Sequence, residues 1–434
     1  MNNLATKLTR HPLREQLYAE IHARPFPLIT GSVDVLHLAL LTSQSEAAQQ
    51  LEMLANLAET SQQPAPAKNA NSFYANMPAY ELRWEKHQEF CTITLITPGT
   101  TDLPFNRDLT GSLDAQWLDV IPGQLLVRLN LRFERSAQQP DSRQITKFFD
   151  DSQLYGSSIV DGKASMWSSF RLHHDDAARI LVYDQGLSDY QAGRTLQRII
   201  EIETYRILTL LALPYARSLI PKISDTGNAL TRLIKKMQIQ ESQYELDEQE
   251  LLENLSVHAA KVEDFRASTA HRFAATSAYN QIVLQRLSDL REQSWPGFSS
   301  WKKMLERRLV PAVNTCVSIE GQLQNLSEQA ERANNLLRTR VDIKIEEQNQ
   351  SLLQSLNRRS RLQLRLQQTV EGLSVVAISY YVVGLIKAIA EGANKSGLSA
   401  DPAIVAAIAV LPVLGITSWL VRRIKHTINQ DDND

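Results

Sequence analysis

The stretches "LSVVAISYYVVGLIKAIA" (residues 373–390) and "AIVAAIAVLPVLGITSWLV" (403–421) decide how this chain is organised. As α-helices they extend for about 27 and 28 Å, close to the hydrocarbon thickness of a bilayer. The second carries no charge. Pro412 does not disqualify it, because membrane helices tolerate proline where neighbours re-satisfy the freed carbonyl. Lys387 lies near the end of the first, where its long stem can snorkel to the interface. The bland alternative is a buried core hairpin of a soluble protein.

Flanking charge sets an orientation. Arg358, Arg359, Arg361 and Arg365 precede the first run with no acid among them, and Arg422, Arg423 and Lys425 follow the second. The connector "EGANKSGLSADP" holds Glu391, Lys395 and Asp401, formally minus one. The positive-inside rule then places both flanks in the cytosol and the connector outside. The amino-terminal "MNNLATKLTRHPLREQLYAE" has no apolar signal-peptide core. The expected location is therefore a cytoplasmic membrane, multi-pass, with both termini cytosolic.

Upstream lies a long helix. From Ala312 to Glu371 there is no proline, and Gly321 is the only glycine. Unbroken from 312 to 390, the helix would extend for about 119 Å, and a helix so long needs partners. Ile319, Leu323, Leu326, Ala330, Ala333 and Leu337 recur at alternating four and three, a coiled-coil-like seam. Self-association through this helix is one way to cover the seam. Packing of the charged, amphipathic helices read over 225–293 is another.

Residues 32–220 are a different material. "SVDVLHLALL" reads as a strand and "EAAQQLEMLANLAET" as an amphipathic helix. "AYELRWEKHQEFCTITLIT", "GQLLVRLNLRFE", "SSIVDGKASMWSSFRLH" and "ARILVYDQ" read as further strands. A helix capped at Ser188 or Asp189 then runs to about residue 219. The fold class expected is an α+β cytosolic domain (1–220), a long α-helical stalk region (221–371), a two-helix transmembrane hairpin (372–421) and a basic-then-acidic tail (422–434).

Composition narrows the function. Lys and Arg total 46 against 48 for Asp and Glu, so no global field points to nucleic acid. Cys91 and Cys316 are the two cysteines, too few and too far apart for a disulfide scaffold or a thiolate zinc site. "DGKAS" (161–165) lacks the upstream glycine of a phosphate loop and reads as a tight turn. "HHDD" (173–176) suggests metal ligands, but in a strand His173 and Asp175 would face opposite to His174 and Asp176. No nucleophile elbow, zincin or dinucleotide motif occurs. No catalytic residue, metal site or cofactor is expected, and the partner expected is the lipid bilayer. In "HARPFP", His22 and Arg24 are ligand-binding candidates, set against a purely structural role pinning a bend.

With "YAEIHARPF" (18–26) beside "RLQLRLQQTVEGLSVVAISYY" (361–381), the chain resembles the bacterial family called domain of unknown function 3422, described as membrane-anchored. In layout it is also similar to CorA-type cation channels, pentamers whose first spans line a pore. Their Gly-Met-Asn signature is missing; "KAIAEGANKSG" stands after the first span instead. That second resemblance implies pore-lining roles for Ser374, Ala377, Tyr381, Gly384 and Lys387, and a homo-oligomer that conducts or gates an ion. The competing expectation is a tethered cytosolic domain that binds a ligand or partner, with the hairpin as anchor only.

Overall fold

The computed structural model describes residues 10–15, 17–18, 25–100, 103–106, 109, 117, 120–136, 138, 140–239, 248–395 and 401–431. The chain divides into two compact units, Met1–Leu246 with Glu253–Asn334, and Asp247–Leu252 with Asn335–Asp434.

The first unit is built on one sheet. Its strands are β1 (Val33–Leu41), β2 (Ser72–Asn76), β3 (Glu81–Lys86), β4 (Phe90–Pro98), β5 (Gln124–Arg135), β6 (Tyr155–Ile159), β7 (Ala164–Leu172), β8 (Ala178–Asp184) and β9 (Gln293–Ser294). The order is β2-β3-β4-β1-β5-β8-β7-β6-β9, and every neighbouring pair is antiparallel except β5 with β8. β1 is central and covered on both faces, which explains its nearly continuous apolar run.

On one face lies α1 (Gln44–Thr60), started by a capping box in which Ser43 and Glu46 satisfy each other's backbone N–H. Its Ala47, Leu51, Leu54 and Ala58 recur every three to four residues and bury against Leu36, Leu38, Leu82, Trp84, Ile93 and Leu95. Each large side chain so buried contributes about 1.5–3 kcal/mol. On the other face lies α3 (Asp189–Leu210), which follows the short α2 (Ser142–Lys147) and starts in a second capping box, Ser188 with Gln191. Leu196, Ile199 and Ile200 of α3 share a core with Val35, Ala39, Leu129 and Leu131.

Three further helices follow: α4 (Leu213–Ile239), α5 (Glu248–Asp289) and α6 (Trp301–Lys395). The helix expected to run from 188 to 219 is two. The chain breaks at Leu211 and Ala212, and Pro214 then sits in the first turn of α4, where its missing N–H costs nothing. α4 carries on past residue 220 with Pro221 inside it. α6 likewise runs through Pro311 without a break.

The seam residues Ile319, Leu323, Ala330, Ala333 and Leu337 are buried within the single chain. Over 319–333, α4 and α5 supply cover. A Cβ added at Gly227 would stand 3.3 Å from a Leu326 methyl, and Arg266 donates to Gln324 at 2.8 Å and to Ser327 at 3.2 Å. Beyond the seam, every residue of α6 from 342 to 370 is exposed.

The second unit contains the rest of α6 and α7 (Pro402–Asp431). Both helices are long and apolar enough to cross a membrane, and their apolar windows are almost wholly uncovered. They meet at Ser379 and Thr417, whose hydroxyls are 2.6 Å apart, with Ala406 and Val413 also buried. Small hydroxylated residues at such a crossing let the backbones approach and supply a hydrogen bond between the helices.

Candidate functional site

Strand alternation explains how the site arises. In β3, Leu82 and Trp84 face α1, so Arg83 and Glu85 must face the other way. That face is roofed by α3 and α5 rather than by water. Across the sheet, Arg83 lies opposite Thr94 of β4, and Thr94 opposite His37 of β1. One strand step away, Glu85 lies opposite Thr92. A polar floor therefore runs across three strands.

Above it lies a cavity of about 320 Å³, within the usual range of small-molecule sites. α3 presents Leu196, Gln197, Ile200, Glu201, Thr204 and Tyr205 on one stripe, and α5 adds Ile282 and Arg286. Pro27 closes one end. The segment after the HARP motif is thus a cap, held in two ways. Arg83 donates to the Pro25 carbonyl, and the Pro27 carbonyl presses so close to α3 that a Cβ at Gly193 would stand 1.7 Å from it. His22 and Arg24 lie outside the described residues. In the segment before the HARP motif, Leu13 and Leu17 are about half exposed or more, at 49 and 60 %.

His37 is the centre of the floor. Its Nδ1 is 2.8 Å from the Thr94 hydroxyl and its Nε2 2.9 Å from the Thr204 hydroxyl. Burial, then the nearby His87, lowers its pKa to about 3. The ring is therefore neutral at physiological pH, donating to one threonine and accepting from the other. Both nitrogens are engaged, which fixes the orientation of the ring.

Charge in the cavity is balanced. Arg83 pairs with Glu81 at 2.7 Å and lies over the Tyr74 ring, while Arg286 pairs with Glu201. Glu85 accepts from the Tyr74 hydroxyl at 3.0 Å and lies 3.9 Å from His87, which stacks on Phe90. At the rim, Glu89 accepts two hydrogen bonds from Arg272 and one from Tyr279, tying the β3–β4 turn to α5. Burial, then Glu89, raises the Tyr279 pKa, so the phenol remains a donor. Two guanidiniums, two carboxylates and several hydroxyls around an apolar middle suit a small polar molecule of little net charge.

The "HHDD" stretch is a turn between β7 and β8, not the end of a strand. Its alternation fails there, and His173, His174 and Arg179 all converge on Asp150, with His173 Nδ1 at 2.8 Å. The hydrogen bond from His173 leads in holding the Asp150 carboxyl below its usual pKa, with Arg179 assisting. His173 Nε2 is also 2.9 Å from the Ser169 hydroxyl, which reproduces the connectivity of a hydrolase triad. Burial runs the wrong way for that chemistry. Ser169 is 3 % exposed, whereas the Asp150 side chain is 48 % exposed. The trio pins the β7 bulge. Among the described residues, no group of three or more His, Cys, Asp or Glu is placed to hold a metal ion. "DGKAS" lies at the turn between β6 and β7, where Asp161 and Gly162 take positive φ.

Ser374, Ala377, Tyr381, Gly384 and Lys387 are exposed on α6. At about 100° per residue, Ala377, Tyr381 and Gly384 lie on the side opposite Ser379 and its contact with α7. Lys387 lies 4.0 Å from Glu391.

Residues 9–428 match the family described as Protein of unknown function (DUF3422), and the chain belongs to that family. No curated protein matches it.

Proposed function

We propose that this DUF3422 protein is a membrane-anchored binding protein whose sheet domain holds a small polar ligand of little net charge. The reading is carried by the roofed cavity, where a sheet face bearing Arg83, Glu85, Thr94 and His37 is covered by helices that contribute Glu201 and Arg286. The pKa of His37, lowered to about 3, makes it a poor base near neutral pH and favours binding over acid–base chemistry. Under this proposal α6 and α7 pass through the bacterial inner membrane as a hairpin, with both termini cytosolic. The two apolar helices and the arginines flanking them support that arrangement.

The test is a thermal-shift screen of small polar metabolites on the full chain in detergent, repeated with Thr92→Phe, which fills the cavity. A ligand at a hundredfold excess over its Kd stabilises by about 2.7 kcal/mol. A shift in the wild type that vanishes in Thr92→Phe supports the site. A shift that survives the filled cavity, or no shift with any compound, sinks it. Anchoring is checked separately by alkaline extraction, which should leave the full chain with the bilayer and release a chain ending at residue 370.

An ion-conducting oligomer of CorA-like build is the second reading. The uncovered face carrying Ala377, Tyr381 and Gly384 favours it. The mass of the detergent-purified complex decides between them, since a monomer or dimer offers two spans per chain no symmetric conduit.

A further inference from the structure

A second cavity of the first unit has opposite chemistry. It measures about 430 Å³ and lies where the first turns of α3, the end of α5 and the β6–β7 turn meet. Three arginines line it, Arg194, Arg198 and Arg291, against one carboxylate, Asp289. That carboxylate is already committed. Gln285 donates to one oxygen at 2.9 Å, and Arg286 and Arg198 lie 3.4 and 3.6 Å from the other. Guanidiniums sharing one small cavity repel each other, since screening at physiological salt acts over about 8 Å.

Two of the arginines are placed in ways the fold does not need. Arg291 takes φ 49°, a left-handed conformation that glycine adopts far more cheaply. Its partner Asp161, at 2.9 Å, forms an exposed pair, with both side chains more than half accessible, and such pairs do little to hold a fold. Arg194 lies over the Phe26 ring, 5.8 Å from its centroid. A cation–π contact of this kind attracts the guanidinium without using its N–H donors. Thr195, Ser288 and Gln191 add hydroxyl and amide groups to the wall.

We propose that this cavity binds a small oxyanion, phosphate either free or carried as a monoester, through Arg194, Arg198 and Arg291. The planar donor forks of arginine match two phosphate oxygens at a time, and the bound charge relieves the repulsion among the three. The site is separate from the cavity over His37 and does not rest on the ligand proposed there.

The experiment is a calorimetric titration of the full chain in detergent, at low chloride, with inorganic phosphate and separately with glycerol 3-phosphate. Saturable binding is expected, tighter for whichever form is the natural one. Arg291→Gly and Arg194→Gln should each weaken it by at least about tenfold. Arg291→Gly is the sharper variant, because glycine suits that backbone and the melting temperature should not fall. No saturable binding of either anion to the wild type, or unchanged binding in Arg291→Gly, overturns the proposal.

Discussion

The two faces of β3 and β4 are made by the same strands yet differ in kind. Toward α1 they present Leu82, Trp84, Ile93 and Leu95, packed against a helix with apolar residues at matching spacing. Toward α3 and α5 they present Arg83, Glu85, Thr92 and Thr94, and space remains between sheet and helices. Close packing is what an apolar face permits; a polar face under a helical roof must find hydrogen bonds, and it leaves a cavity where it finds a ligand instead. The first face holds the unit together. The second is where a molecule can be held.

That contrast breaks first, and hardest, at Trp84. Trp84→Ala removes a fully buried ring and its hydrogen bond to Gln50 at 2.8 Å, and should cost about 3–5 kcal/mol in denaturant unfolding. If the cost is below about 1 kcal/mol, the apolar face is not the structural one.

His37 should produce a pH dependence confined to the polar face. Its folded pKa, about 3, lies below the unfolded value near 6.5, so the unfolded chain binds the extra proton between those limits. Stability is full above pH 6.5 and falls as pH drops toward 3, by a few kcal/mol at most. Melting temperature followed from pH 7 to 4.5, before most carboxylates titrate, should decline in the wild type and stay flatter in His37→Gln. Parallel curves would remove the buried neutral imidazole from the account.

Gly193→Ala tests the cap. The added Cβ must displace the Pro27 carbonyl, at about 1–3 kcal/mol in stability and with a larger loss of ligand affinity. Unchanged stability and binding would show that residues 25–30 do not close the cavity. Smallest should be Tyr74→Phe, which removes only the hydroxyl with its hydrogen bonds to Glu85 and Ser72, at about 1 kcal/mol in the same unfolding assay.

Much of this architecture is legible in the sequence because it is local. β1, α1, the β3–β4 pair and the two apolar runs all announce themselves by period and length. So does the start of α3, through Ser188 and Gln191. The break before α4 was legible too, since Pro214 marks a first turn, but the apolar run across "LTLLALPYARSL" masks it. The cavity is not legible in the same way. Its walls come from residues near 27, 37, 83–96, 196–205 and 282–286, and no window of sequence holds more than one wall. One clue exists: β3 alternates like a half-solvated strand, yet His37 sits in the middle of the largely apolar β1 two strands away. "HHDD" misleads for the opposite reason, because a strand period was extended into a turn, where side chains converge on Asp150 instead of alternating.

β9 pairs with β6 from well over a hundred residues downstream, and Trp301 joins the same core. The first unit therefore stays open until residues near 300 have been made, with the inner side of β6 and its neighbours exposed meanwhile. The apolar runs begin only at 373. At ordinary ribosomal speeds, about 2–8 s separate the synthesis of residue 334 from that of residue 373. The order of the chain thus gives the sheet time to close before any long apolar helix is there to compete for its unfinished surfaces.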